Sequence, residues 1–176
     1  MNKTGWIILI VCLSLLFCLC CGILLGRRMT SNLYVDDPRM DNLFSHCEEV
    51  GLPVLFHMGD ARYAHSAPKK LAAVCEALPE LRCIAAHFGG YTMHEIAKEE
   101  LKGKDCFFDV SSSLMFMEEG VAEGYITHYG AERFVYGSDF PMWDPVVEME
   151  RFMRLKLTDS QKEQIAHITA ERILKI

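Results

Sequence analysis

Val54-Leu55-Phe56-His57, Ile84-Ala85-Ala86-His87 and Phe134-Val135-Tyr136-Gly137-Ser138-Asp139 decide the fold of this chain. Each is an apolar, strand-like run that ends in a polar side chain able to bind a metal. Each is followed by turn residues and then by a helical pattern. A polar residue at the C-terminal end of a buried parallel strand is where α/β barrels and open α/β sheets do their chemistry. Two histidines and one aspartate at the same point of a repeated unit suggest one shared site.

The helical segments between these runs are marked by their ends. Asp37-Pro38 reads as a helix N-cap and first turn, Met40, Leu43, Phe44, Cys47 and Val50 recur at helical spacing, and Gly51 ends the helix. Further helices are expected over residues 68–78, after a capping box at Thr92 and Glu95, from about Met117 to Tyr129, after Asp144-Pro145, and after a second capping box at Thr158 and Gln161. The strands are expected at 53–58, 82–87, 106–110 and 133–137. Strands alternating with helices imply a parallel sheet with right-handed crossovers. The strand ends His57, His87, Asp109 and Asp139 are 30, 22 and 30 residues apart, which makes four βα units. A closed eight-stranded barrel takes about 250 residues. The expected class is therefore α/β, a partial (β/α)8 barrel of about four units. An open doubly wound sheet is the other topology that this pattern allows.

The first residues are of another kind. From Thr4 to Gly26 there is no charged residue; Trp6 stands near one end of the run, and Arg27 and Arg28 close it. A helix of this length would be about 34 Å long, enough for a ~30 Å hydrocarbon core. Residues 1–28 are therefore expected to be a transmembrane anchor, with the span itself over 6–25. Residues 29–36 form a connector and 37–176 the barrel domain. The apolar stretch is longer than a signal-peptide core and no Ala-x-Ala-like site follows it, although a cleaved signal peptide is the competing reading. The basic residues after the run place the C-terminal domain in the cytoplasm of a single-pass membrane protein.

Composition narrows the partners. The formal net charge of −6 over 176 residues, with no basic stripe, argues against nucleic acid. Cys47, Cys75, Cys83 and Cys106 are scattered on apolar faces, as small core residues of a protein from a reducing compartment.

Two imidazoles and a carboxylate, His57, His87 and Asp139, together suit zinc or a similar divalent ion. Asp139 stands out most, because an unpaired carboxylate just past an apolar strand is costly. Arg62, in the loop after the first strand, could clamp a substrate carboxylate or simply sit in a surface salt bridge. Asp109 reads as a hydrogen-bonded strand-end residue.

Residues from about Asp37 onward resemble the C-terminal half of the amidohydrolase-related family, the metal-dependent TIM-barrel branch that includes aminocarboxymuconate-semialdehyde decarboxylase-like enzymes. The segments that carry the resemblance are Gly51 to His57, Ala85-Ala86-His87-Phe88-Gly89-Gly90, Phe108-Asp109-Val110-Ser111-Ser112 and Tyr136-Gly137-Ser138-Asp139-Phe140-Pro141. The resemblance implies that His57 and Asp139 are metal ligands. It implies that His87 and Asp139 are catalytic, with His87 positioning or activating water or substrate. It also implies a divalent metal, with Zn2+ expected, and a small carboxylated or cyclic substrate that is hydrolysed or decarboxylated. The family's first-strand His-x-His or Glu-x-His pair has no counterpart here, and Ile168-Thr169-Ala170-Glu171-Arg172 stands where the family has Gly-Asn-Ala-x-Arg. The expected enzyme is thus incomplete as a single chain, and a second half-barrel or a homo-oligomer could complete it. The alternative is a non-catalytic membrane-tethered half-barrel or a truncated gene product.

Overall fold

The computed structural model describes residues 33–176, and Tyr34–Ile176 form one compact unit. Asp37 caps the first turn by accepting from the Arg39 N–H, and helix α1 (Asp41–Val50) ends at Gly51 in the left-handed conformation. Then follow β1 (Val54–Phe56), α2 (Pro68–Ala77), β2 (Cys83–Ala85), α3 (His94–Glu100), β3 (Cys106–Asp109), α4 (Val121–Tyr129), β4 (Phe134–Val135), α5 (Pro145–Met153), α6 (Asp159–Glu163), a π-helical turn (Gln164–Ile168) and α7 (Thr169–Leu174).

All four strands are parallel and lie in chain order, β1-β2-β3-β4. The order never reverses, so the sheet has no switch point of the doubly wound kind. This is half of a barrel wall. One face of the strands carries Phe56, Cys83, Ala85, Cys106, Phe108 and Phe134, all buried against Leu71, Val74, Leu101, Ile126 and Tyr129 of the helical layer. Phe108 stacks on Tyr129 at 4.1 Å between ring centroids. The alternate residues Leu55, Ile84, Phe107 and Val135 point the other way and are only partly covered; Leu55 is 44 % exposed. In a complete barrel that face would fill with side chains from the facing strands.

The C-terminal segment covers one edge of the sheet. The Tyr136 N–H donates to the carbonyl of Ile165 at 2.8 Å. A π-helical turn shifts the backbone pairing and leaves such a carbonyl open to an outside donor. Thr169, fully buried, donates its hydroxyl to the carbonyl of Glu132 at 3.2 Å, and Arg172 donates to the same carbonyl. The altered stretch Ile168 to Arg172 therefore still ties the last helix to the turn that leads into β4.

Three expectations are corrected. The expected transmembrane helix falls outside the described residues. Among the described residues no helix is long and apolar enough to cross a membrane; the longest α-helices have 10 residues, about 15 Å against a ~30 Å core. Among the described residues the partial barrel stands, and nothing in them supports a membrane helix, a membrane partner or a single-pass membrane location. The capping box at Thr92 and Glu95 also does not form. The Thr92 hydroxyl instead accepts from the Ala61 N–H at 2.8 Å and donates to the Gly59 carbonyl, while Glu95 accepts from the Tyr125 hydroxyl at 2.6 Å. Finally, α4 begins at Val121 rather than near Met117, after Gly120 at φ 85°.

Candidate active site

The strand ends bring the expected residues to one rim. His57 follows β1 directly and His87 lies two residues past β2. Their rings meet edge to face, with His57 Nδ1 3.1 Å from His87 Nε2. Behind them the first two loops touch through glycine. A Cβ on Gly59, whose φ is +66°, would lie 2.4 Å from the Gly90 Cα. This is the close approach that the Gly89-Gly90 pair permits.

Asp109, at the end of β3, organises the site without facing it openly. One carboxylate oxygen accepts from the backbone N–H of His87 at 2.8 Å, the backbone N–H of Ser111 at 2.9 Å and the Ser111 hydroxyl at 2.6 Å. Those bonds fix the direction of a hydrogen-bond chain. The Ser111 proton is committed to Asp109, so Ser111 Oγ can only accept from His87 Nδ1, 2.9 Å away; the Ser111 carbonyl, at 3.2 Å, can also only accept. His87 Nδ1 therefore carries the proton and its Nε2 carries the lone pair. His57 must then donate from Nδ1, which leaves the lone pair of the pair on His57 Nε2. Burial, and next the neighbouring His87, hold the His57 pKa below the usual imidazole value, while Asp139, Asp60 and Asp109 pull it back up.

Asp139 sits past β4. Its carboxylate accepts from the Ser112 hydroxyl at 2.5 Å, and Ser112 Oγ accepts in turn from the Trp143 indole N–H at 2.9 Å. Four residues of this rim have left-handed backbone: His87 (φ 60°), Phe88 (55°), Ser112 (51°) and Asp139 (59°). Non-glycine residues rarely adopt it, and such positions cluster at functional sites.

Aromatic side chains continue from the histidines along the rim. His87 meets Tyr91 at 5.7 Å, Tyr91 meets Phe116 at 6.4 Å and Phe116 meets Trp143 at 6.2 Å, all edge to face. Phe116 is 64 % exposed. Ser111, Ser112, Tyr91, Phe116 and Trp143 were not expected from sequence; the run Ser111-Ser112-Ser113 after an apolar strand is the one signal that pointed there.

Arg62 forks onto Asp60, with Nε 2.9 Å from one carboxylate oxygen and Nη2 2.6 Å from the other. The guanidinium beside it holds the Asp60 carboxyl low, at about 2. A substrate carboxylate would have to displace Asp60 to reach this side chain. His65, in the same loop, stacks on Tyr34 at 4.9 Å.

The donors do not make up the expected zinc site. Among the described residues no group of three His, Cys, Asp or Glu side chains could hold a metal ion. His87 Nε2 is turned to His57, and Asp139 accepts from Ser112. A zinc centre built from three such side chains is therefore not borne out among the described residues.

Comparison with known proteins places the chain. A search among curated proteins gives no significant match. Solved structures match with the fold. An uncharacterised TIM-barrel protein from Bordetella bronchiseptica is 23 % identical, with a TM-score of 0.69 over 83 % of this chain and 53 % of that one. A 5-carboxyvanillate decarboxylase from Sphingomonas paucimobilis is 16 % identical, with a TM-score of 0.65 over 84 % of this chain and 56 % of that one. A putative 2-pyrone-4,6-dicarboxylic acid hydrolase from Pseudomonas putida is 19 % identical, with a TM-score of 0.58 over 82 % and 59 %. The chain thus spans little more than half the length of these structures. The model of the amidohydrolase family matches residues 20–176, beginning inside the apolar run that was read as a membrane span. With the half-barrel and its strand-end residues in place, that match shows that the chain belongs to the amidohydrolase family.

Proposed function

We propose that residues 37–176 supply the C-terminal half of an amidohydrolase-type site that hydrolyses or decarboxylates a small cyclic carboxylate, and that this half is incomplete as a single chain. One observation carries the reading: the directed chain Asp109–Ser111–His87–His57, which ends in a basic nitrogen beside Asp139. In it Asp109 and Ser111 are positioning residues. His87 holds the tautomer of His57, and His57 Nε2 takes a proton from water or from a substrate hydroxyl. Asp139, held by Ser112, is the second proton-handling group. The edge-to-face series Tyr91, Phe116 and Trp143 offers a flat substrate ring an aromatic wall. Arg62 remains the candidate for a carboxylate group, in exchange for Asp60.

Among the described residues no three donors gather for a resident metal, so no step here runs through one. The activities named for similar structures, on 5-carboxyvanillate, 2,6-dihydroxybenzoate and, for the putative hydrolase, 2-pyrone-4,6-dicarboxylic acid, support the choice of substrates for the test. The purified full chain is assayed for CO2 release from the two benzoates and for ring opening of the pyrone, with and without an added divalent ion. The reading expects weak turnover that falls about 100-fold or more in His57→Gln. No turnover under any condition, or turnover that His57→Gln leaves unchanged, overturns it. The first result favours the non-catalytic half-barrel.

A further inference from the structure

The loop after β3 sends two neighbouring serines to two different partners. Ser111 reaches His87 at the preceding strand end, and Ser112 reaches Asp139 at the following one. Ser112 is buried and has left-handed backbone, φ 51°. The two routes run close together, since a Cβ on Gly137 would lie 3.4 Å from the carboxylate carbon of Asp109. The route through Ser111 runs from Asp109 to His57. The route through Ser112 starts on Trp143 and has a direction of its own.

An indole N–H can only donate. Trp143 Nε1 lies 2.9 Å from Ser112 Oγ, so that oxygen accepts, and its single proton goes to Asp139 Oδ2 at 2.5 Å. A donor on a hydroxyl oxygen strengthens the bond that the hydroxyl's own proton makes. Among the described residues the other carboxylate oxygen, Asp139 Oδ1, makes no hydrogen bond. The Met142 N–H donates to the Asp139 carbonyl at 2.8 Å, which closes the turn between Asp139 and Trp143. Trp143 is half-buried, and its ring meets Phe116 edge to face. One side chain therefore belongs both to the aromatic wall and to the hydrogen-bond chain that holds the carboxylate.

We propose that Trp143 is a positioning residue of the site, one that ties ring recognition to the carboxylate of Asp139. Its N–H sits on the Ser112 oxygen and polarises the hydroxyl toward Asp139 Oδ2. That fixes which carboxylate oxygen is taken and leaves Oδ1 to receive the substrate's proton and return it. This role rests on the reading of Asp139 as a proton-handling group. It also gives the site a way to prefer flat aromatic carboxylates over open-chain ones. A ring that lies against Trp143 steadies the same indole that directs Ser112. An open-chain acid leaves that indole untouched.

The chain has two tryptophans, Trp6 and Trp143, so isotope labelling of the indole nitrogens in the folded full chain gives two N–H resonances, and Trp143→Phe identifies which is which. The Trp143 resonance should shift in Asp139→Asn as well as in Ser112→Ala, because the carboxylate acts on the indole through the hydroxyl between them. In wild type its proton should exchange with solvent about 10-fold or more slower than that of a free indole. A cooperative urea transition checks that each variant folds, and the wild-type exchange rate decides alone if one does not. A Trp143 resonance that Asp139→Asn leaves in place, or fast exchange in wild type, overturns the proposal. These signals need no turnover, so they stand apart from failure of the catalytic reading. Where wild type turns over 2,6-dihydroxybenzoate, Trp143→Phe keeps a flat ring and loses the N–H; kcat should fall about 10-fold, the worth of one hydrogen bond, with KM within about 2-fold. A change in KM alone makes Trp143 a wall contact only and overturns the positioning role.

Discussion

Asp109 takes the backbone N–H of His87 on a carboxylate oxygen at 2.8 Å. The bond pins a left-handed residue of one strand end to the tip of the next strand, so the carboxylate is structural before it is chemical. Replacing Asp109 by Ala strands two buried N–H groups, of His87 and Ser111, each of which costs about 1–3 kcal/mol to leave unpaired. Asp109→Ala should lose about 3 kcal/mol in a urea titration. Asp109→Asn, which keeps an acceptor oxygen, should lose less than half as much. Equal losses for the two variants would show that the acceptor role is wrong.

The histidines give stability a pH dependence of definite sign. The folded pKa values of His57 and His94 are lowered below 6.5, for both mainly by burial and next by His87. Lowered values mean that the unfolded chain binds protons which the folded chain refuses. Their contribution is therefore complete above about 6.5 and is lost as pH falls through that value toward the folded pKa. The urea midpoint should drop between pH 7.5 and 5.5. Substituting either residue by Gln should flatten that drop; a midpoint that rises as pH falls through this window contradicts the assignment.

Gly59 is expected to tolerate no side chain. Its would-be Cβ meets backbone, the Cα of Gly90 at 2.4 Å, and its φ is +66°. Neither loop can yield by turning a side chain. Gly59→Ala should cost about 2–4 kcal/mol from overpacking and left-handed strain together. The movement should show in the ring resonances of His57 and His87, because both lie on the two loops that would be forced apart.

Phe108 carries the core between sheet and helices, fully buried against Tyr129 and Phe134. Phe108→Ala should destabilise by about 3–5 kcal/mol, read from chemical denaturation. Leu55→Ala, on the other face and 44 % exposed, should cost well under half of that. A similar cost for both would mean that the inner face is covered more fully than its exposure indicates.

Periodicity and punctuation made most of this fold legible. The four strands alternate apolar runs with turn residues, and Asp37, Asp144 and Thr158 cap helices as their side chains allow. His57, His87 and Asp139 were legible as strand-end residues because the pattern repeats. Asp109 was legible as a hydrogen-bonded strand end. What the sequence hid depends on contacts between units. Thr92 looks like a helix cap in its own segment, yet it is bound by a loop 31 residues away. The tautomer of the histidine pair depends on Ser111, which no local pattern links to His87. The aromatic wall gathers residues from three loops. Arg62 was open between two readings, and its fork onto Asp60 matches the surface ion pair.

The left-handed turns at His87, Phe88, Ser112 and Asp139 bear on how such a chain changes over generations. Glycine would hold each turn without the ~1–2 kcal/mol that other residues spend there, aspartate least. Random substitution under selection for stability alone would favour glycine at these places, most of all at the exposed edge of the rim. Selection for a working proton chain would oppose it. The rim is therefore where the two pressures diverge: Phe88 is held by its burial in the core, while at His87, Ser112 and Asp139 this chain carries a residue that backbone conformation alone would not choose.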